Sequence, residues 1–265
     1  MTVLTRLLAV VALFTTLSLS GWSYPTLFGD TGLMLVPSAD TMPYSFFQLG
    51  IDYAKIMDDA GDSINYPIRL TYGIAENIEL FAVVAESQGN AVSGTNATGG
   101  GVKMSINDEH LYQTAPGIAV GARAVHYKRT AGDLDQIEAY LVASKILLAQ
   151  GDVLGEGFFL RAHAVLSYTN YSGAHQGDFI SGSAGLNYVT ANGNSLVLEF
   201  IPEHENIRDA TLSGALRIHL SPNFWLQVAT TRPFGLGDDQ SYSLGMMYQF
   251  GDKMVLPTGD QIFYY

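Results

Sequence analysis

Apolar and polar residues alternate with a period of two along most of this chain. The pattern is clearest in residues 242–250, where the apolar or aromatic positions are Tyr242, Leu244, Met246, Tyr248 and Phe250. Successive side chains of a β-strand point to opposite faces, so this run has one apolar face and one face of small or polar residues. Twelve such runs follow one another from residue 46 onward: 47–53, 64–74, 78–84, 102–106, 118–124, 137–143, 160–168, 180–188, 196–200, 212–220, 224–228 and 242–250.

The alternation alone does not say which face meets lipid, because a soluble β-sandwich has the same period with its apolar face inward. Three features favour a membrane barrel. The runs are long and uniform, the opposite face is mostly Gly, Ser, Ala, Thr and Asn, and aromatic residues lie near the run ends, as in the two interfacial girdles of membrane barrels. The sequence therefore predicts an all-β fold, a single closed antiparallel transmembrane β-barrel of about twelve strands with periplasmic termini.

One charged residue does not fit this phase. Lys145 falls among the lipid-facing positions of the sixth run. We expect its side chain to reach toward the membrane interface, or a β-bulge to shift the phase of the strand.

Composition narrows the function classes. The chain of 265 residues is 48% hydrophobic but only 14% charged, against roughly 25% charged residues in ordinary soluble domains. A net charge of −12 argues against nucleic acid, because phosphate binding needs an excess of Lys and Arg. The absence of cysteine excludes a disulfide framework and a thiolate metal site, and no motif indicates a cofactor.

The chain divides into four predicted segments. Residues 1–23 have one early charge and an apolar core of about 13 residues, too short for a spanning helix, and predict an export signal. Residues 24–43 contain Gly, Pro and Asp residues that interrupt strands and helices, and they predict a structured periplasmic segment before the barrel. This segment could either plug the lumen or dock a periplasmic partner. Residues 44–250 form the barrel, and residues 251–265 a periplasmic tail.

The run at 242–250 resembles the closing strand of bacterial outer-membrane barrels, with Tyr248 third from the end and Phe250 terminal. In that class the barrel-assembly machinery reads this pattern as an assembly signal. In those proteins the Phe usually ends the chain, whereas here residues 251–265 follow it. The resemblance implies residence in the bacterial outer membrane, in contact with its lipid and lipopolysaccharide.

A second resemblance lies before the first strand. Residues 29–40 contain a Gly-Leu segment followed by Pro37, Ser38 and Ala39, and Phe47 to Gly50 begin the first strand. This order resembles the opening of YjbH-like outer-membrane proteins associated with exopolysaccharide biosynthesis. The resemblance implies a non-enzymatic component of exopolysaccharide production or export, with polysaccharide or an anionic sugar as a partner.

The inward phase of the barrel carries charged and histidine residues. They are Asp52, Arg69, Glu79, Lys103, Arg123, Glu138, Arg161, His163, Glu199, Arg217 and His219. A lone buried charge costs several kcal/mol, so each of them needs water or a partner. One hypothesis is a polar channel whose basic residues contact an anionic solute; the other is a mutually paired network that fills a narrow barrel.

Catalytic and metal sites find little support in the sequence. His163 and His219 share the predicted lumen with Ser167, Ser181, Ser183 and Ser213, but alternation cannot bring strands seven and ten within hydrogen-bond reach. The acidic loops match no calcium-binding spacing. The leading prediction is thus a non-enzymatic channel or exopolysaccharide component; the alternatives are a structural or assembly-partner barrel with a plugged lumen, and a lipid-modifying enzyme.

Overall fold

The computed structural model describes residues 24–57, 62–89, 96–107, 109, 115–128, 132–151, 157–173, 176–203, 210–221, 223–234 and 240–251. The predicted signal, residues 1–23, and all of the predicted tail beyond residue 251 lie outside these ranges. The strands are β1 (Tyr24–Pro25), β2 (Thr31–Gly32), β3 (Phe47–Met57), β4 (Ser63–Ala75), β5 (Ile78–Gly89), β6 (Asn96–Asn107), β7 (Gly117–Lys128), β8 (Leu134–Gly151), β9 (Gly157–Gly173), β10 (Gly177–Thr190), β11 (Ser195–Ile201), β12 (Ala210–Ser221), β13 (Phe224–Phe234) and β14 (Gln240–Phe250).

Strands β3 to β14 form one closed antiparallel barrel of twelve strands, which confirms the predicted fold. Each strand pairs with its neighbours in sequence, and β14 pairs with β3 to close the ring, with Gly245 opposite Asp52. Each of the twelve alternating runs is one of these strands. In the part of the chain that the structure describes, no helix is long and apolar enough to cross a membrane. We call the end where β3 begins and β14 ends the terminal rim, and the opposite end the distal rim.

The outer face of the barrel is an apolar surface. Large side chains such as Leu198, Leu216 and Leu244 are about half exposed there, as period-two alternation requires for a one-layer wall. Aromatic residues contact one another near both rims: the rings of Phe47 and Phe250 are 5.7 Å apart at the terminal rim, and those of Tyr53 and Tyr66 are 5.7 Å apart toward the distal rim. These contacts fit the predicted girdles.

Lys145 lies on β8, the longest strand of the barrel. A register shift lies between Ile146 and Leu148, so a bulge changes the phase of the strand beyond Ile146. The Lys145 ammonium is 3.3 Å from the Glu109 carboxylate in the link between β6 and β7. The lysine is thus neutralised by an acidic partner at the terminal rim.

Residues 24–43, which we call the plug, lie inside the barrel. The Tyr24 hydroxyl donates to the Gly193 carbonyl at the terminal rim, 2.9 Å away, and the chain turns at Gly29, whose φ is +101°. It then returns to the same rim, where the Ser45 amide donates to the Gly73 carbonyl at 2.9 Å. Of the two roles left open by the sequence, the structure places this segment in the lumen. The plug is a U with both arms ending at one rim.

Apolar residues of the plug pack on the inner wall. Leu33, Met34, Val36 and Ala39 form one buried cluster with wall residues of six strands. The wall members of the cluster are Ala119, Tyr140, Val142, Val165, Val197, Ile201, Ala215 and Ala229. The return arm of the plug is thus the centre of one apolar core, and Tyr24 of the first arm forms a second with Trp225 and Met247.

Candidate functional site: the lumen and its plug

All eleven predicted lumen residues lie on the inner wall, and none exceeds 8% exposure. Most of them contact the plug. Their predicted role in contacting a solute stays a prediction. Their contacts fall into carboxylates that accept plug N–H groups, cations that donate to plug carbonyls, and cations that meet plug carboxylates.

Glu199 accepts hydrogen bonds from three consecutive plug amides. The nitrogens of Met34, Leu35 and Val36 lie 2.7, 2.9 and 2.9 Å from its Oε1. Consecutive N–H groups that converge in this way form an anion-binding nest. The arrangement compensates the buried charge and fixes the backbone of the return arm.

A second carboxylate, Glu79, joins both arms of the plug. Its oxygens accept from the amides of Thr31, at 2.8 Å, and Met42, at 2.7 Å. The Lys103 ammonium lies 3.1 Å from the same carboxylate and donates to the Thr31 carbonyl at 2.6 Å. Glu79 and Lys103 have no exposed side-chain surface, so the pair is stabilised by the plug rather than by water.

Two arginines donate to carbonyls of the plug. Arg217 Nη2 lies 2.8 Å from the Leu33 carbonyl, and Arg69 Nη1 lies 3.0 Å from the Pro25 carbonyl, while Arg69 also pairs with Asp52. The Arg217 guanidinium stacks on the Tyr24 ring, 4.2 Å from its centroid. Burial raises the pKa of Tyr24 to about 12, so its phenol remains a neutral donor.

The two plug carboxylates face the remaining arginines. Arg161 Nη1 lies 2.6 Å from Asp40, and its Nε lies 3.0 Å from Glu109. Arg123 Nη1 lies 3.8 Å from Asp30, whose other oxygen accepts from the Tyr140 hydroxyl at 2.7 Å. The plug thus adds two negative charges to the five basic and four acidic residues predicted for the wall.

The predicted network of mutually paired charges describes part of this arrangement. Wall pairs such as Arg123 with Glu138, 2.7 Å apart, are the mutual network. Yet most of these charged groups also contact the plug, a partner that alternation on the strands does not reveal. The wall is therefore a binding surface for residues 24–43.

The predicted histidines have local partners. His163 Nδ1 lies 2.8 Å from the Ser144 hydroxyl, which itself accepts from the Ala39 amide at 2.9 Å. His219 stacks on Trp225 with ring centroids 5.0 Å apart. The serine candidates bond elsewhere: Ser167 to Ser181, at 3.0 Å, and Ser213 to Thr231, at 3.2 Å. The Ser144–His163 pair is covered by the plug and has the geometry of a plug anchor.

Sequence reasoning missed residues that contact the predicted lumen residues, among them Ser144, Tyr140 and Glu109. Ser144 and Tyr140 are separated from Glu138 on β8 by an even number of residues, so they point to the same, inner face. The alternation of that strand was therefore enough to predict their orientation. Glu109 lies in a link, where no periodicity applies. Among the described residues, no group of three acidic, histidine or cysteine side chains is placed to hold a metal ion.

Comparison with known proteins supports the architecture. No protein-family model matches the chain, and no curated protein matches it. Two solved structures of the KdgM porin, one described as a complex with disordered oligogalacturonate, are similar at 15% identity, with TM-scores of 0.51 and 0.50, over 76% of this chain and 99% of theirs. Omp33 from Acinetobacter baumannii is also similar, at 11% identity and a TM-score of 0.48, over 80% of this chain and 100% of that one.

At these identities the likeness shows the fold. The chain is a closed twelve-stranded barrel of the kind found in outer-membrane proteins.

Proposed function

We propose that this protein is a non-enzymatic outer-membrane channel that its own N-terminal segment holds closed. The observation that carries the proposal is the set of charged wall residues that bind the backbone and carboxylates of residues 24–43. Glu199, Glu79 and Arg217 are the clearest members, because each makes a hydrogen bond of 2.7 or 2.8 Å to a main-chain group of the plug. A polar lumen bound to a segment of the same chain is a plugged pore.

The chemistry of the interface favours a plug that can leave. Lumen charges and plug amides are both well solvated in water, so separation replaces each protein hydrogen bond by one to water. A permanent filling made of apolar side chains would avoid the desolvation of nine wall charges. Because both arms of the U end at the terminal rim, withdrawal also requires no threading of the chain through the barrel.

The finer proposal is a role in the production or export of exopolysaccharide. It is supported by the resemblance of residues 29–40 and Phe47–Gly50 to YjbH-like proteins. The similar KdgM structure is described as a complex with oligogalacturonate, an anionic sugar. Five basic residues in the lumen would suit such a solute.

A structural barrel with a permanent plug is the second candidate. It is favoured by the complete burial of Arg217, Lys103 and Glu79, which leaves water no access to the interface in this state. The two candidates differ in one measurable property, because only the channel passes ions when the plug is absent.

An engineered disulfide between the plug and the wall, which we call the lock, tests the channel directly. A Cβ atom on Gly117 would lie 3.3 Å from the Ala39 Cβ, close to the separation of about 3.5–4.5 Å found in disulfides. The chain contains no cysteine, so the pair A39C/G117C forms a unique cross-link between plug and wall. In planar bilayers we expect the oxidised lock to show no openings and the reduced form to behave like wild type.

Deletion of residues 26–41 is the complementary variant, and it should give a steady conductance that is absent from the wild type. Folding of each variant is checked by heat-modifiable migration on gels. If the folded deletion variant passes no current, the channel is wrong and the structural barrel is the better description.

The exopolysaccharide role is tested in cells. Deletion of the gene in its host should lower extracellular polysaccharide, with localisation checked by membrane fractionation. Complementation by wild type should restore secretion, whereas the oxidised lock should not. Unchanged polysaccharide in the deletion strain would refute this role and leave the channel itself intact.

A further inference from the structure

The tip of the plug presents a carboxylate to the wall at mid-barrel. Asp30 has no exposed side-chain surface, and its Oδ2 accepts from the Tyr140 hydroxyl at 2.7 Å. Its Oδ1 faces Arg123 Nη1 at 3.8 Å. The remaining partner of Asp30 is Thr26, another residue of the plug. The wall therefore contributes one guanidinium and one phenol to this carboxylate.

Contacts within the wall also position these two groups. Arg123 donates from Nε and Nη2 to Glu138 Oε2, at 2.9 and 2.7 Å, which directs Nη1 toward Asp30. Among the described residues Nη1 has no hydrogen-bond partner, although Arg123 is only 8% exposed. The Tyr140 ring lies against Gly121 on the neighbouring strand, where a Cβ would come within 2.3 Å of it.

We propose that Arg123 and Tyr140 form a carboxylate-binding subsite that Asp30 occupies in the closed state and an acidic saccharide occupies in the open state. The inference rests on the proposed channel function and names its solute class. A guanidinium and a hydroxyl are the donors that recognise a carboxylate. The plug tip is then an internal competitor of the solute.

The surroundings suit a uronic acid rather than a bare carboxylate. The Phe28 ring lies on the Arg123 guanidinium, 3.9 Å from its centre, and would leave with the plug. Next to Glu138, the Gln136 amide bonds to the Tyr127 hydroxyl at 3.0 Å. These amide and hydroxyl groups donate and accept, as sugar hydroxyls require. The subsite therefore combines a charge for the carboxylate with polar neighbours for the ring.

Substitution Asp30→Asn tests the competition. It keeps the shape of the tip but removes the charge that holds it against Arg123. By calorimetry in detergent, trigalacturonate should bind D30N at least about tenfold more tightly than wild type, a difference of about 1.4 kcal/mol. Maltotriose, which is neutral and of the same length, should bind neither protein.

Variants of the wall assign the binding to the subsite. D30N/R123Q should lose trigalacturonate binding, D30N/R123K should retain part of it, and D30N/Y140F should weaken it less than R123Q does. K55Q in the D30N background is the matched control, because Lys55 pairs with Asp62 away from the plug and both are about half exposed.

The outcomes separate the subsite from the channel. Equal binding of trigalacturonate to D30N, D30N/R123Q and D30N/K55Q would overturn the subsite, even if the plug-deleted barrel conducts. Binding that depends on Arg123 in a protein whose plug-deleted form passes no current would support the subsite and overturn the channel. If neither folded D30N nor folded D30N/R123K binds trigalacturonate, the subsite is wrong.

Discussion

The outer and inner faces of the barrel are made by alternate residues of the same strands, yet they obey different rules. On β11, Leu198 is 48% exposed and the next residue, Glu199, is 2% exposed; on β12, Leu216 and Arg217 repeat the contrast at 47% and 0%. The two leucines have no hydrogen-bonding group in their side chains and require no polar partner. The inner residues bond to particular atoms of the plug, such as the amides of Met34 and Val36.

The two faces of the barrel are therefore encoded by the sequence in different ways. Lipid accepts any apolar side chain, so period two is a sufficient rule for the outer face. A buried charge requires a donor or acceptor at a definite position, so the inner face depends on a segment distant in sequence. Glu199 and Met34, for example, are 165 residues apart. Substitutions at neighbouring positions should therefore fail in different ways.

The largest effect is expected on the outer face. Leu198→Arg places a charge in the apolar belt, where it should destabilise the barrel by about 2–4 kcal/mol if the position lies near the bilayer midplane. Urea titration of the protein in lipid vesicles, followed by tryptophan fluorescence, measures the free energy of unfolding. Leu198→Val is the control and should cost less than half as much. Equal stability of the Arg and Leu proteins would mean that this face does not meet lipid.

The same contrast explains how much of the molecule could be predicted. The twelve strands and the inward orientation of all eleven lumen residues follow from alternation, because a wall one residue thick offers each side chain only two environments. The closed barrel was predicted from the composition of the polar face and the aromatic run ends as well. Lys145 keeps the outward phase, opposite Ala162, because the bulge comes only after Ile146; its charge is accommodated by Glu109 at the terminal rim.

The partners of the lumen residues could not be predicted in the same way. Glu199 is read as an inward acid, but nothing in β11 indicates three amides of the plug as its ligands. The plug itself has no period, since its two strands have only two residues each and Gly29 turns the chain between them. Its position is determined by buried polar groups that must be satisfied together.

The second effect concerns the nest at Glu199. Glu199→Gln removes the charge that three plug amides share and leaves one oxygen as acceptor, and hydrogen bonds to charged groups contribute about 1.5–3 kcal/mol. We expect the plug to be released, with an open probability at least about tenfold higher in bilayer recordings, since 1.4 kcal/mol is tenfold in an equilibrium. Barrel stability should change little.

Asp62→Asn is the control for this substitution. It also converts an acid to an amide, but its partner Lys55 lies outside the plug and both side chains are about half exposed. Exposed ion pairs contribute about 0–1 kcal/mol, so conductance should match the wild type. If D62N and E199Q give the same recordings, Glu199 does not hold the plug.

The third effect is steric. Gly185 on β10 faces the plug, and a Cβ there would lie 2.2 Å from the Leu33 Cδ1. Gly185→Val should displace the return arm, because overpacking of a buried site costs about 1–3 kcal/mol. Gly182→Val on the same strand is the matched control, since Gly182 is exposed and a Cβ there meets only the Val165 carbonyl, at 3.7 Å.

Liposome swelling with a neutral sugar separates the two glycine variants. G185V should admit the sugar faster than wild type, and G182V should not. Faster swelling with both variants would indicate a general loosening of β10, whereas unchanged swelling with G185V would mean that Leu33 moves aside without release of the plug.

The smallest effect is expected at the start of the plug. Tyr24→Phe removes the hydrogen bond from the hydroxyl to the Gly193 carbonyl, which should weaken closure by about 1 kcal/mol. Burial raises the pKa of Tyr24 to about 12 in the closed state, against about 10 for a solvated tyrosine. The closed state therefore retains the proton more tightly, and the contribution of Tyr24 is complete below about pH 10 and is lost as the pH rises toward about 12.

Recordings of wild type and Y24F across that range test the assignment. The difference in open probability between the two proteins should be constant below about pH 10 and shrink above it, because only the wild type carries the titrating phenol. Comparing the two proteins removes the contribution of every other group that titrates in the same range. A difference that is independent of pH would mean that the Tyr24 hydroxyl remains solvated when the plug is closed.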